Sequence, residues 1–196
     1  MESYSNSGTR TSLNMDGEAN KAVRGYGENR RKGMCGLALR LLALALTLAA
    51  AVVLGVDKQT KTVPVQVSPS LPALNVPVTA KWRYLSAFVY FVVANAIACG
   101  YSALSLLLLL ANKAGKSRTL ASAVAILDII MVALLFSSCG AATAVGVLGR
   151  EGNSHVQWGK VCNVFDKFCD RVAVAIGLSL FGSLAFVLMG GLAVMA

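Results

Sequence analysis

The sequence predicts an all-α membrane protein: a four-transmembrane-helix bundle with its N and C termini cytoplasmic. Three observations carry that reading. First, 56% of the 196 residues are apolar and only 14% are charged. Second, the apolar residues fall in four runs, roughly Gly36–Val56, Tyr84–Ala111, Thr119–Leu148 and Val172–Ala196. Each run has about the 20 residues that a helix needs to cross the hydrocarbon, and none alternates as a barrel strand does. The second and third are long enough to tilt or to project past the lipid. Third, the short connection at 112–118 holds Lys113, Lys116 and Arg118 with no acid, and the segment before the first run ends in Arg30, Arg31 and Lys32. By the positive-inside rule both face the cytoplasm. The formal net charge of +9 would raise a nucleic-acid partner on a soluble chain. Here the cations flank spans, so membrane lipid is expected as the neighbour and nucleic acid is not.

Residues 1–35 are polar and rich in Gly, Ser and Asn, which predicts a disordered cytoplasmic tail. Residues 36–196 form the membrane domain. Its first run is too long for a cleavable signal and is expected to stay as an anchor. Cys35, at the start of that run, is a candidate for palmitoylation, with a free thiol as the alternative. The first outer loop, 57–83, holds all four prolines, Pro64, Pro69, Pro72 and Pro77. Proline fixes φ and removes a donor, so this loop is expected to be extended rather than helical. The second outer loop, 149–171, contains Trp158–Asp170, where Val161, Phe165 and Phe168 recur at helical spacing. That spacing predicts a short amphipathic helix near the membrane surface. Trp158, Phe165 and Phe168 are its expected interaction residues.

Arg40 lies within the first apolar run and Asp128 within the third. A charge in the hydrocarbon costs roughly 2.5–3.5 kcal/mol on insertion scales, so it faces a partner or a cavity. Arginine can snorkel to the headgroups, but aspartate is too short to do so. Asp128 must pair, accept hydrogen bonds or stay protonated. The readings are an Arg40–Asp128 intramembrane pair, a proton or ion relay, or a snorkelling Arg40 with Asp128 bonded elsewhere.

Cys162 and Cys169 share the second outer loop, and an oxidising compartment favours a disulfide there. In an unbroken helix their Cα atoms would stand about 10.5 Å apart, past the roughly 7 Å limit for a bridge. A disulfide therefore requires the helix to bend or end between them. The alternative is zinc with the lone His155, but three ligands at this spacing match no standard site. Small residues four apart, Ala96/Gly100, Gly140/Ala144, Ala142/Gly146 and Ser179/Ser183, are expected to pack inside the bundle. Asn95, Ser137 and Ser138 are expected to add interhelical hydrogen bonds. The chain has one histidine, no CxxC pair, no phosphate-binding glycine loop and no nucleophile beside a base. An enzyme is not expected, and neither is a cofactor or a metal.

Several stretches resemble the plant CASP-like proteins, relatives of the Casparian strip membrane domain proteins and more distantly of MARVEL-domain proteins. They are YLSAFVYFVVANAIACGYSALSLL (Tyr84–Leu107), LDIIMVALLFSSCGAATAVGVLGREGN (Leu127–Asn153) and VQWGKVCNVFDKFCDRVAVAIGLSL (Val156–Leu180). The resemblance runs from Gly36 onward and implies roles for Arg40 and Asp128 as paired span charges. It also implies importance for Trp158, Cys162 and Cys169. It further implies a plasma-membrane, multi-pass scaffold that forms homo-oligomers and hetero-oligomers with related members, organises a membrane domain and meets cell-wall-modifying proteins. The first outer loop lacks the short motif of the strip-forming proteins, which points to a CASP-like relative instead. The rival expectation is a transporter or channel subunit that uses Asp128 as an ion or proton site.

Overall fold

A computed structural model describes residues 33–65, 74–111, 118–156 and 158–194. Arg30–Lys32 with the tail before them, Pro69, Pro72, Lys113 and Lys116 lie outside the described residues. The chain divides into two units, Met1–Ala38 and Leu39–Ala196. Of the first, residues 33–38 are described, and they are helical.

Four helices are long and apolar enough to cross a membrane. Helix α1 spans Gly33–Gly55; α2 spans Ser86–Ala111, α3 Arg118–Glu151 and α4 Asp166–Val194. None contains a proline, because all four prolines lie between α1 and α2. Helix α3 has 34 residues, about 51 Å at helical rise. That exceeds the roughly 30 Å of hydrocarbon, so it extends beyond the lipid. Helix α4 is the most enclosed, with 44% of its apolar window buried against 28% for each of the others.

The bundle is apolar outside, and inside it mixes large apolar side chains such as Phe91, Phe186, Leu54 and Leu135 with small and polar ones. Leu41, Leu48, Val93, Leu104, Ile129 and Phe181 point outward. Lipid is as apolar as leucine, so what the helices gain on association is close packing. At one close approach a Cβ built on Gly182 of α4 would meet Thr47 Cγ2 of α1 at 3.2 Å. Two apolar clusters fill the interior. One gathers Ala50, Leu54, Phe88, Phe91, Phe168 and Val172. The other gathers Ala43, Ala98, Met131, Leu135, Phe186 and Met189.

Between these clusters in sequence order, each helix contributes a buried polar residue: Thr47, Asn95, Ser138 and Ser179. The expected interhelical bonds do not form at two of the three positions. Asn95 Nδ2 donates to the Phe91 carbonyl and Ser138 to that of Leu135, each on its own helix. The turn below supplies the nearest acceptor for a short side chain. Ser137 alone reaches across, 3.3 Å from the Tyr90 hydroxyl of α2.

Between α1 and α2 the chain forms an antiparallel hairpin, β1 (Lys58–Val65) and β2 (Leu74–Lys81). The extended conformation expected from proline is realised as paired strands. Pro64 faces Asn75 and Pro77 faces Thr62. Proline has no N–H to give, so both pairs are of the type whose main-chain groups point away from the partner. Thr60 and Thr79, one step along in the same phase, are then a close-approach pair. Their hydroxyls stand 3.0 Å apart. A 3-10 turn at Trp82–Tyr84 delivers the chain into α2.

The separate amphipathic helix expected over Trp158–Asp170 does not form; its last residues are instead the first turn of α4. Trp158 pairs in a bridge with Asn153, residues 162–164 form a turn, and helical structure begins at Asp166. The Cys162–Cys169 disulfide holds their Cα atoms at 5.8 Å, too close for an unbroken helix over seven residues.

Candidate functional site

Two polar constellations tie the helices together, one near each end of the bundle. The first is centred on Arg40 and Asp128. Both are almost wholly buried, and Arg40 Nη2 donates to Asp128 Oδ2 at 3.0 Å. Nη1 donates to Ser105 Oγ at 2.6 Å and reaches Asp128 Oδ1 at 3.4 Å. The Ser105 hydroxyl in turn donates to the Ser102 carbonyl at 3.0 Å. The Tyr101 hydroxyl lies 2.8 Å from Asp128 Oδ1 and 3.0 Å from the Val124 carbonyl. The Arg40 guanidinium carbon sits 6.0 Å from the centre of the Tyr101 ring, whose other neighbour is Phe186 of α4.

The cluster thus joins α1, α2 and α3 and rests against α4. Each carboxylate oxygen accepts at least one hydrogen bond, and the guanidinium meets both oxygens through different nitrogens, at 3.4 and 3.0 Å, in the two-point manner that favours arginine–carboxylate pairing. Tyr101 and Ser105 were not singled out by the sequence. Their four-residue spacing within an apolar run is the signal that places them on one face of α2.

The second constellation lies where the hairpin meets α4. Asp57, just after α1, is buried, and its Oδ1 accepts from Arg171 Nη1 at 2.7 Å. Gln59 of β1 donates to Asp166 Oδ1 at 3.1 Å and accepts from the Phe168 backbone N–H at 2.8 Å. The first N–H groups of a helix have no partner within it; the hairpin supplies one here. Lys61 adds an exposed contact to Asp166 at 3.8 Å. None of these links was read from the sequence, because Asp57, Gln59 and Arg171 sit among many other polar loop residues.

The disulfide loop closes over the end of α3. The backbone N–H groups of Val161 and Cys162 both donate to the Gly149 carbonyl, at 2.8 and 3.1 Å. Gly152 has φ of 72°, and a Cβ there would fall 2.7 Å from the Trp158 carbonyl oxygen. Only glycine fits this reversal. Beneath the loop is a cavity of about 440 Å³, lined by Phe88, Val145, Trp158, Val172 and Ile176, with Arg150 and Asp170 among its polar residues.

Of the three aromatic residues read as an interaction surface, the structure leaves only Trp158 exposed. Phe165 and Phe168 are 7% and 6% exposed and belong to the core, with Phe168 stacked edge-on against Phe88. Phe165, just before the helix, and Phe168, in its first turn, both pack in the cluster with Ala50 and Leu54 of α1 and Phe88 and Phe91 of α2. Cys35 is exposed, Cys99 half-buried and Cys139 buried. Among the described residues no three His, Cys, Asp or Glu side chains converge as a metal site.

These features define a multi-pass membrane protein of four spans, with a buried ion pair between spans one and three and a disulfide loop before span four. The chain belongs to the family of the Casparian strip membrane protein domain, whose profile matches residues 29–185. It is 65% identical over 157 residues to "CASP-like protein 1E1" of Glycine max, covering 80% of this chain and 83% of that one. It is 67% identical over 153 residues to "CASP-like protein 1E2" of Vitis vinifera, covering 78% of each. With "CASP-like protein 1E1" of Arabidopsis thaliana the identity is 56% over 159 residues, 81% of this chain and 83% of the relative. No solved structure matches.

Proposed function

We propose that the protein is a non-enzymatic plasma-membrane scaffold that self-associates, with itself and with related family members, to organise a membrane domain. The observation that carries this reading is on the lipid-facing surface. Ala96 and Gly100 of α2 and Gly140 and Ala144 of α3 are exposed, and a Cβ on either glycine would meet nothing within 4 Å. These pairs were expected inside the bundle. Facing outward, they offer two surfaces on which a neighbouring helix can approach closely. The closed hydrogen bonding around Asp128 also favours a structural role for that carboxylate over an ion site.

The disulfide and the exposed Trp158 stand on the same side as the hairpin, through α4. An oxidised bond there supports placing this side outside the cell and both termini inside. In that orientation Trp158 and the hairpin face the wall, where wall-modifying proteins are the partners in this reading. Fluorescence recovery after photobleaching of the tagged protein in a plant plasma membrane tests the scaffold. Slow, incomplete recovery within patches is expected. Fast, full recovery from a uniform distribution would refute self-association into a platform.

A further inference from the structure

At the foot of the hairpin the pairing sets Lys58 directly opposite Lys81. Residues directly opposite in an antiparallel pair share a face, and like charges so placed repel and destabilise the ribbon. Among the described residues neither lysine has an ion-pair partner. No carboxylate among the described residues offsets that repulsion; the one favourable contact there is the Tyr84 ring beside Lys81.

Where that face points is settled by its neighbours. Side chains alternate along a strand, so Gln59 and Lys61 share one face while Lys58, Thr60 and Thr62 share the other. Gln59 and Lys61 reach Asp166 at the start of α4. Lys58 and Lys81 thus lie on the face turned away from α4. Lys58 lies three residues past Gly55, where α1 ends, and Lys81 five residues before Ser86, where α2 begins. That closeness to the span ends places both where lipid headgroups are expected. Interfacial aromatics lie alongside: Lys81 Nζ is 5.9 Å from the centre of the Tyr84 ring, and the Arg83 guanidinium carbon is 5.2 Å from that of Trp82.

We propose that the Lys58–Lys81 pair seats the phosphate of an anionic phospholipid in the leaflet on the hairpin side. One phosphate between the two ammonium groups replaces their repulsion with two charge-assisted hydrogen bonds. The Thr60 and Thr79 hydroxyls, one step up the same face and 3.0 Å apart, supply neutral partners for the rest of the headgroup. Position decides for a lipid over a soluble polyanion, because the pair stands at the base of the hairpin rather than at its tip.

The test uses the full chain carrying Trp158→Phe, which leaves Trp82 as its one tryptophan, in phosphatidylcholine nanodiscs. A minor fraction of brominated phosphatidylglycerol is expected to quench Trp82 more than the same fraction of brominated phosphatidylcholine, with enrichment of about fivefold for each lysine. Lys58→Gln/Lys81→Gln should abolish the excess, and Lys61→Gln, on the opposite face, should keep it. Thermal unfolding separates this loss from misfolding. Phosphatidylglycerol should raise the Tm of the unsubstituted chain, and in phosphatidylcholine alone the double variant should melt no lower than that chain. Equal quenching by the two lipids would overturn the proposal, as would an excess that survives the double substitution. A shift of Trp82 emission on adding polygalacturonate to phosphatidylcholine discs, with no lipid preference, would assign the pair to a soluble carboxylate polymer instead.

Discussion

Arg40 and Asp128 were legible in the sequence because a charge inside an apolar run is rare and costly, so each demanded an explanation. Tyr101 and Ser105 were not, because hydroxyl side chains are commonplace in spans and usually bond their own helix. Their part in the cluster has a measurable consequence. Removing one partner of a buried pair costs about 3–5 kcal/mol, because the other charge is left uncompensated. Asp128→Ala is therefore expected to lower the melting temperature and the yield of monodisperse protein in detergent. Arg40→Met/Asp128→Leu should recover much of that loss. In the double variant Tyr101 keeps the Val124 carbonyl and Ser105 the Ser102 carbonyl, so no hydroxyl is stranded. A double variant as unstable as Asp128→Ala would show that the pair does more than cancel charge.

At the scale of elements, the four spans were readable from length and apolar content alone, whereas the hairpin was not. Four prolines argue against a strand inside a sheet, but in a two-stranded ribbon every strand is an edge and Pro64 and Pro77 are tolerated. The start of α4 was misplaced for a related reason. The periodicity of Val161, Phe165 and Phe168 is satisfied by a turn followed by a helix as well as by one helix. Hairpin and α4 are then joined by a side chain that no local pattern reveals, Gln59. Gln59→Ala removes the acceptor for the Phe168 N–H. Loss of such a cap is worth about 1 kcal/mol. Hydrogen exchange of the Phe168 amide should accelerate while exchange in the middle of α4 is unchanged. An unaltered Phe168 amide would mean that the hairpin does not hold the helix end.

For the whole molecule, sequence spacing alone could not separate small residues that pack within the bundle from those that face lipid. Ala142 and Gly146 pack inward, the latter with Val172 of α4 as its nearest neighbour, whereas Gly100 and Gly140 open outward. The difference lies in helix rotation, which distant contacts set. Gly100→Leu/Gly140→Leu should therefore leave the melting temperature of the isolated protein nearly unchanged. In the membrane it should speed recovery after photobleaching, because bulk on these faces keeps helices of neighbouring copies apart. Unchanged recovery would move the self-association surface elsewhere.

The prolines of the hairpin bear on what such crowding produces. Copies held side by side bring their ribbons close together, and a free strand edge is a template on which another chain can zip. Pro64 and Pro77 leave each edge short of an outward donor, one on either strand. On the scaffold reading proposed above, each gap interrupts the zipping of neighbouring ribbons into a continuous sheet. An array of that kind is expected to stay a reversible patch, able to grow and dissolve.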